Sequence, residues 1–178
     1  MTDIKQNKIK VFIVDDHQAV REGLRSYLTR HLLAVVGEAS DAPEAIRKAK
    51  KLAPDIIILD VNLPSMNGWE AARSLRRLVP RSRIIAFSIH SSEEYVARMA
   101  RSGARGYVMK SQPTGELLEA IRQVFQGGRY FPAGMNDSSF AKGHKPSAKK
   151  SPPENPGRKP SLSTRRKGGL IKKTPQKT

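Results

Sequence analysis

Between residues 8 and 131, two hydrophobic rhythms alternate along the chain. Short unbroken apolar runs, "IKVFIVDD", "LLAVVGEA", "DIIILD", "RIIAFS" and "GYVM", read as strands buried on both faces. Between them the apolar positions fall at helical spacing: Val20, Leu24, Tyr27 and Leu28; Ile46 and Ala49; Trp69, Ala72, Leu75 and Val79; Val96, Met99 and Ala100. A last helix carries Leu117, Leu118, Ile121, Val124 and Phe125 inward. The punctuation agrees. Asp41 and Glu44 form a capping-box-like start, Ser92 with Glu93 and Glu94 opens another helix, and Asn67-Gly68 leads into a third. Pro113 suits a first helical turn, while Gly103 and Gly127-Gly128 are stops.

Five strand–helix units with fully apolar strands predict an α/β fold, a doubly wound five-stranded parallel sheet with helices on both faces. Right-handed crossovers favour the strand order 2-1-3-4-5 of the flavodoxin type. In such sheets, sites form beyond the carboxyl ends of the strands. Those ends carry chemistry. Strand one ends in Asp15-Asp16, strand three in Asp60, strand four in Ser88, and strand five near Lys110. Each alone has an ordinary explanation as a cap, turn or solvated residue. Together they gather three carboxylates, a hydroxyl and an amine around one pocket.

Clustered carboxylates repel one another, and a divalent cation relieves the repulsion. Mg²⁺ takes hard oxygen ligands and accepts one or two carboxylates plus phosphate. Asp16 and Asp60 would supply the carboxylates, with Asp15 acting through water. A carboxylate nucleophile such as Asp60 can attack a phosphoryl group, and Lys110 would neutralise the phosphate from the side opposite the metal.

At the level of whole phrases, "KVFIVDDHQAVREGL", "PDIIILDVNLPSMNGWEA" and "IIAFSIHSSEEYVARMARSGARGYVMKS" resemble the receiver domain of two-component response regulators, closest to the NarL/FixJ subclass. The resemblance covers about three-quarters of the chain. It implies a phosphoacceptor at Asp60, an acidic metal pocket of Asp15 and Asp16, and a backbone carbonyl of Asn62 completing the Mg²⁺ shell. It implies that Ser88 bonds the phosphoryl oxygen, Lys110 pairs with it, and Tyr107 is the aromatic switch. The donor would be a phosphohistidine on a sensor histidine kinase. The face around Val96, Met99 and the last helix, made by the fourth helix, the fifth strand and the fifth helix, would be a partner or homodimer surface. Ile89, where receivers often carry a small residue, would narrow water access and slow dephosphorylation. His17 and His90 read as a helix-start residue and a loop residue.

A switch is favoured over an enzyme. Haloacid-dehalogenase-type phosphatases carry a second aspartate two residues after the nucleophile, and here that place holds Asn62, which cannot act as general acid or base. A flavodoxin-like cofactor site needs a Ser/Thr/Gly phosphate loop, where this chain has "DDHQAV".

Charge divides the chain. Net charge is +17, of which residues 1–135 carry +7 and residues 136–178 carry +10. The expected organisation is a receiver over 1–132 and a disordered basic tail over 133–178. After Met135 the large apolar side chains are Phe140, Leu162, Leu170 and Ile171, too few for a helix-turn-helix core. Yet "LSTRR", Leu162 to Arg166, resembles the opening of the DNA-reading domain that NarL/FixJ regulators carry. A change of reading frame near Arg165 and a chance match both remain open. The tail could also bind nucleic acid through phosphate contacts without sequence preference. There is no cysteine, no signal-peptide pattern and no bilayer-length apolar run, which fits a cytoplasmic protein without membrane attachment.

Overall fold

A computed structural model of the chain describes residues 8–135 and Phe140. The expectations for Leu162–Arg166 and for most of the basic tail lie outside the described residues. Strands and helices alternate as β1 (Lys10–Val14), α1 (Gln18–Arg30), β2 (Ala34–Ala39), α2 (Ala42–Leu52), β3 (Ile56–Asp60), α3 (Gly68–Leu78), β4 (Arg83–Ser88), α4 (Glu93–Arg101), β5 (Ala104–Met109) and α5 (Thr114–Phe125). All five strands pair in parallel, in the order β2-β1-β3-β4-β5. This is the predicted doubly wound sheet.

Strand periodicity explains the two cores. Phe12, Val14, Ile57, Leu59, Ile84 and Ala86 point to one face, where α2, α3 and α4 pack through Ala45, Ala49, Ala72, Leu75, Val96 and Met99. Val11, Ile13, Ile56, Ile58, Ile85 and Phe87 point to the other, under α1 and α5. A strand covered on both faces needs apolar residues at every position, which is why "IIIL" carries no polar alternation. At the sheet edge β2 is only half-buried over most of its length.

Local chemistry sets the boundaries. The Asp41 carboxylate accepts the Glu44 backbone N–H at 2.7 Å, and the Glu44 carboxylate accepts the Ser40 N–H at 2.8 Å. That closes the first turn of α2 much as a capping box does. Gly103 ends α4 at a φ of +105°, in the left-handed region that disfavours side chains.

Several expectations need correction. β2 begins at Ala34, because Leu32 has a left-handed φ of 63° and points to solvent. β5 begins at Ala104, two positions before the apolar "GYVM"; Arg105 takes the outward position of an edge strand. Pro113 stands just before α5 rather than in its first turn. Phe125 is 40% exposed, since it lies one residue past Val124 and off the stripe of Leu117, Leu118, Ile121 and Val124. Val96 and Met99 are fully buried, so they belong to the core and not to a partner surface.

After α5 the chain returns to the sheet. Tyr130 N–H donates to the Arg105 carbonyl at 3.0 Å, and Tyr107 N–H donates to the Tyr130 carbonyl at 2.7 Å. The segment thereby satisfies backbone groups on the free side of β5, which would otherwise be an open edge. The Tyr130 hydroxyl donates to the Glu116 carboxylate on α5. Phe131 meets Phe140 with ring centroids 4.8 Å apart, and Phe140 is buried in the core. Packing therefore continues past residue 132.

Candidate functional site

Strand register brings the chemistry together. Val14 pairs with Leu59, so Asp15 and Asp60 stand side by side one position further along. Asp60 pairs with Phe87, and Ser88 pairs with Met109, which places Ser88 and Lys110 at the same end. The Lys110 N–H also donates to the Ser88 carbonyl at 2.7 Å, carrying the strand pairing into the loop.

The Lys110 ammonium bridges two buried carboxylates. Its Nζ lies 2.7 Å from Asp15 Oδ2 and 2.8 Å from Asp60 Oδ2. The side chains of Asp15, Asp60 and Lys110 are 2%, 3% and 15% exposed. Asp15 Oδ2 makes no hydrogen bond of good angle despite this close approach. The distance governs the electrostatics, so the contact is an ion pair that leaves the oxygen with bonding capacity. Asp16, at the rim, is a third exposed.

Backbone groups orient these side chains. Asp15 Oδ1 accepts the His17 N–H at 2.9 Å, and Asp60 Oδ1 accepts the Asn62 N–H at 3.0 Å. Arg21 donates to the Asp15 carbonyl at 2.7 Å. The loop after Asp60 turns back tightly on Gly68. A side chain there would lie 2.6 Å from Val61 Cα and 2.8 Å from the Asp60 carbonyl oxygen, so only glycine fits.

Burial is the largest influence on Asp60, Lys110 and Tyr107. It pushes the Asp60 carboxyl above the ordinary carboxylate range, against the pull of the Lys110 ammonium and the Asn62 N–H; the neighbouring Asp15 charge pushes the same way as burial. For Lys110, burial alone would lower the value, yet Asp15 and Asp60 together raise it, so the ammonium stays charged. Burial also raises the Tyr107 phenol, which remains a neutral donor.

Ser88 and Tyr107 meet through a residue that spacing did not single out. Ser88 Oγ accepts the His90 N–H at 3.1 Å, and the Tyr107 hydroxyl donates to the His90 carbonyl at 2.7 Å. The His90 ring stacks on Tyr95 with centroids 4.1 Å apart and meets the Asn62 side-chain amide at 2.9 Å. By its place in the sequence His90 is an ordinary loop residue. The structure makes it the link between the loops after β3 and β4, and no periodicity in the sequence carries that signal. His17 likewise turns its Nδ1 to 2.7 Å from Asp16 Oδ1. The predicted site residues lie at the carboxyl end of the sheet or in the loops that leave it, except Tyr107, which lies within β5 and reaches the loop after β4 through its hydroxyl.

The pocket suits a hard divalent cation. Asp15, Asp16, His17 and Asp60 each offer one donor atom, and these atoms lie within 4.8 Å of one another. The carboxylate oxygens and the incompletely bonded Asp15 Oδ2 match the oxygen preference of Mg²⁺. Among the described residues, no helix is long and apolar enough to cross a membrane.

Comparison with known proteins places this geometry. Residues 11–122 match the response regulator receiver domain. The transcriptional regulatory protein DegU of Brevibacillus brevis is 38% identical over 128 residues, covering 71% of this chain and 54% of that protein. The nitrate/nitrite response regulator protein NarL of Escherichia coli K12 is 37% identical over 123 residues, covering 68% of this chain and 57% of that protein. The chain thus spans little more than half the length of these two curated relatives. A crystal structure of a LuxR-family two-component response regulator from Aurantimonas sp. SI85-9A1 superposes with a TM-score of 0.67 at 39% identity, covering 69% of this chain and 89% of that one. A parallel sheet in the order 2-1-3-4-5, an acidic pocket at its carboxyl end and these matches together establish that the chain belongs to the response regulator receiver family, with relatives of the NarL and DegU type.

Proposed function

We propose that the protein is a phosphoaspartate switch of a two-component phosphorelay, and that Asp60 is its phosphoacceptor. The observation that carries this reading is the Asp60 carboxylate, almost fully buried at the end of β3 and held by the Lys110 ammonium at 2.8 Å. An Asp60 oxygen attacks the phosphorus of a phosphohistidine on a sensor histidine kinase. The O–P bond forms, the P–N bond breaks, and the imidazole leaves with the electron pair. Asp16, Asp60 and the Asn62 backbone carbonyl, with Asp15 behind them, would hold a divalent cation such as Mg²⁺, which would supply charge neutralisation for the phosphoryl oxygens.

The chain's own residues do the rest. Lys110 already lies beside the reacting carboxylate and pairs with the charge that phosphorylation adds. Ser88 donates its hydroxyl to a phosphoryl oxygen. Because Ser88 Oγ also accepts the His90 N–H, that movement pulls on the His90 backbone, whose carbonyl holds the buried Tyr107 hydroxyl. The two arrangements of this loop and of Tyr107 are the bistable element. Asn62, two residues after Asp60, supplies no general base for rapid hydrolysis, so the protein signals and does not turn over substrate.

The output regulates transcription or a protein partner from the cytoplasm. The receiver occupies residues 1–132, and a basic segment follows over 133–178 whose Phe140 packs onto the receiver core. A homodimer would form through exposed positions of the α4-β5-α5 face. The test is Mg²⁺-dependent phosphorylation by acetyl phosphate, read by intact mass. Wild type should gain one phosphoryl group and Asp60→Asn none. A phosphoryl group retained in Asp60→Asn would overturn the assignment.

The +10 charge of residues 136–178 favours a second reading, in which the basic segment binds nucleic acid under receiver control. It predicts salt-sensitive DNA binding that disappears when residues 136–178 are deleted.

A further inference from the structure

We infer that the acidic pocket is a mixed oxygen–nitrogen metal site, in which His17 Nδ1 adds a donor that favours a borderline first-row ion such as Ni²⁺ or Co²⁺. This rests on the metal pocket of the proposed function and adds a ligand to it.

The imidazole has little else to do. His17 is the N-cap of α1, yet its side chain makes no capping hydrogen bond. Its side chain is 66% exposed, so it contributes little to the core. Its ring nitrogen is turned inward along the pocket rim, 2.7 Å from Asp16 Oδ1 and 3.3 Å from Asp15 Oδ1. The backbone keeps it there, because the His17 N–H is anchored on Asp15 Oδ1 at 2.9 Å.

The spacing fits an ion. The four donor atoms of Asp15, Asp16, His17 and Asp60 lie within 4.8 Å of one another. Ligands on opposite sides of a six-coordinate ion at about 2.1 Å stand about 4.2 Å apart. Closing the gap takes about half an ångström, well within rotamer adjustment of an exposed side chain. A second observation concerns the same carboxylate: Asp15 Oδ2 is buried with the Lys110 ammonium at 2.7 Å and makes no hydrogen bond of good angle, while Asp15 Oδ1 faces the His17 ring.

The donor chemistry then separates metals. Mg²⁺ prefers oxygen and water and gains nothing from an imidazole. Imidazole suits Fe²⁺, Ni²⁺, Cu²⁺ and Zn²⁺, and affinity for nitrogen donors rises along the first row. Because Ni²⁺ binds most sites more tightly than Mg²⁺, the diagnostic quantity is the dependence of each affinity on His17.

The experiment is isothermal titration of the full, untagged chain at about pH 8 with MgCl₂ and, separately, NiCl₂. Wild type is compared with His17→Ala and His17→Asn. The expected result is a loss of about tenfold or more in Ni²⁺ affinity in both variants, with Mg²⁺ affinity within about twofold of wild type. His17→Asn keeps a donor for Asp16 and removes the nitrogen ligand, leaving only an amide oxygen in its place. Equal losses for both metals, recovery of Ni²⁺ affinity in His17→Asn, or no change in either variant would each overturn the inference while leaving the Mg²⁺ pocket standing. Absence of Mg²⁺ and Ni²⁺ binding in wild type would remove the pocket and this inference together.

Discussion

Replacing Lys110 by Met keeps a long apolar side chain and removes the ammonium that lies between Asp15 and Asp60. Two carboxylates no more than 3% exposed are then left without their cation. Breaking a buried ion pair by deleting one partner costs about 3–5 kcal/mol. Lys110 itself keeps 15% exposure, which puts the expected loss at the lower end, about 3 kcal/mol. With a urea m-value of about 2 kcal/mol/M, the unfolding midpoint in EDTA should fall by about 1.5 M. Two further arms identify the cause. Mg²⁺ at about a hundred times its dissociation constant for the variant should return about 2.7 kcal/mol, because it binds the native pocket and not the unfolded chain. Acid should also help. Burial raises the Asp60 carboxyl in the native state, so the stability linked to its proton is complete below the unfolded value and is lost as pH rises through the native one. Removing the ammonium that opposes this shift raises the native value further. The deficit of Lys110→Met should therefore shrink between about pH 7.5 and about pH 5. A variant within about 0.5 kcal/mol of wild type in EDTA, or a deficit that grows on acidification, would refute the reasoning.

Other positions give shorter tests. Gly68→Ala forces a methyl group against the Val61 and Asp60 backbone and should cost about 1–3 kcal/mol in urea unfolding while weakening Mg²⁺ binding; a neutral effect would show that the loop after β3 has room to move. Tyr130→Pro removes the N–H that donates to the Arg105 carbonyl, and it should speed amide exchange at Tyr107 by about tenfold; unchanged exchange would mean that the segment does not protect the β5 edge. Ile89 is 68% exposed beside Ser88. If it shields the acyl phosphate, Ile89→Ala should lose the phosphoryl group several times faster, as read by mass, and an unchanged or slower decay would rule that out.

Much of the site was legible because its residues sit at ends of strands. Asp15, Asp60 and Ser88 each close an apolar run or directly follow one, and a parallel sheet delivers the carboxyl ends of its central strands to one edge. The strand-end rule therefore found the pocket without coordinates. It could not find His90, whose importance comes from backbone groups bonded to Ser88 and Tyr107 and from a ring stacked on Tyr95. Nor could it assign Val96 and Met99 correctly as a surface, because helical spacing identifies an apolar face and not what covers it.

By itself the sequence determined the alternation of strands and helices, the parallel sheet and its order, and the meeting of Asp15, Asp60 and Lys110. These follow from periodicity, from chain handedness and from the cost of leaving apolar strands uncovered. Tertiary structure alone decided that Lys110 bridges the two carboxylates, that Gly68 allows the loop to close against Asp60, and that Tyr130 returns to cover β5. Each of these depends on distances between residues remote in the chain, set by how side chains and backbone groups fill the space once the sheet has formed.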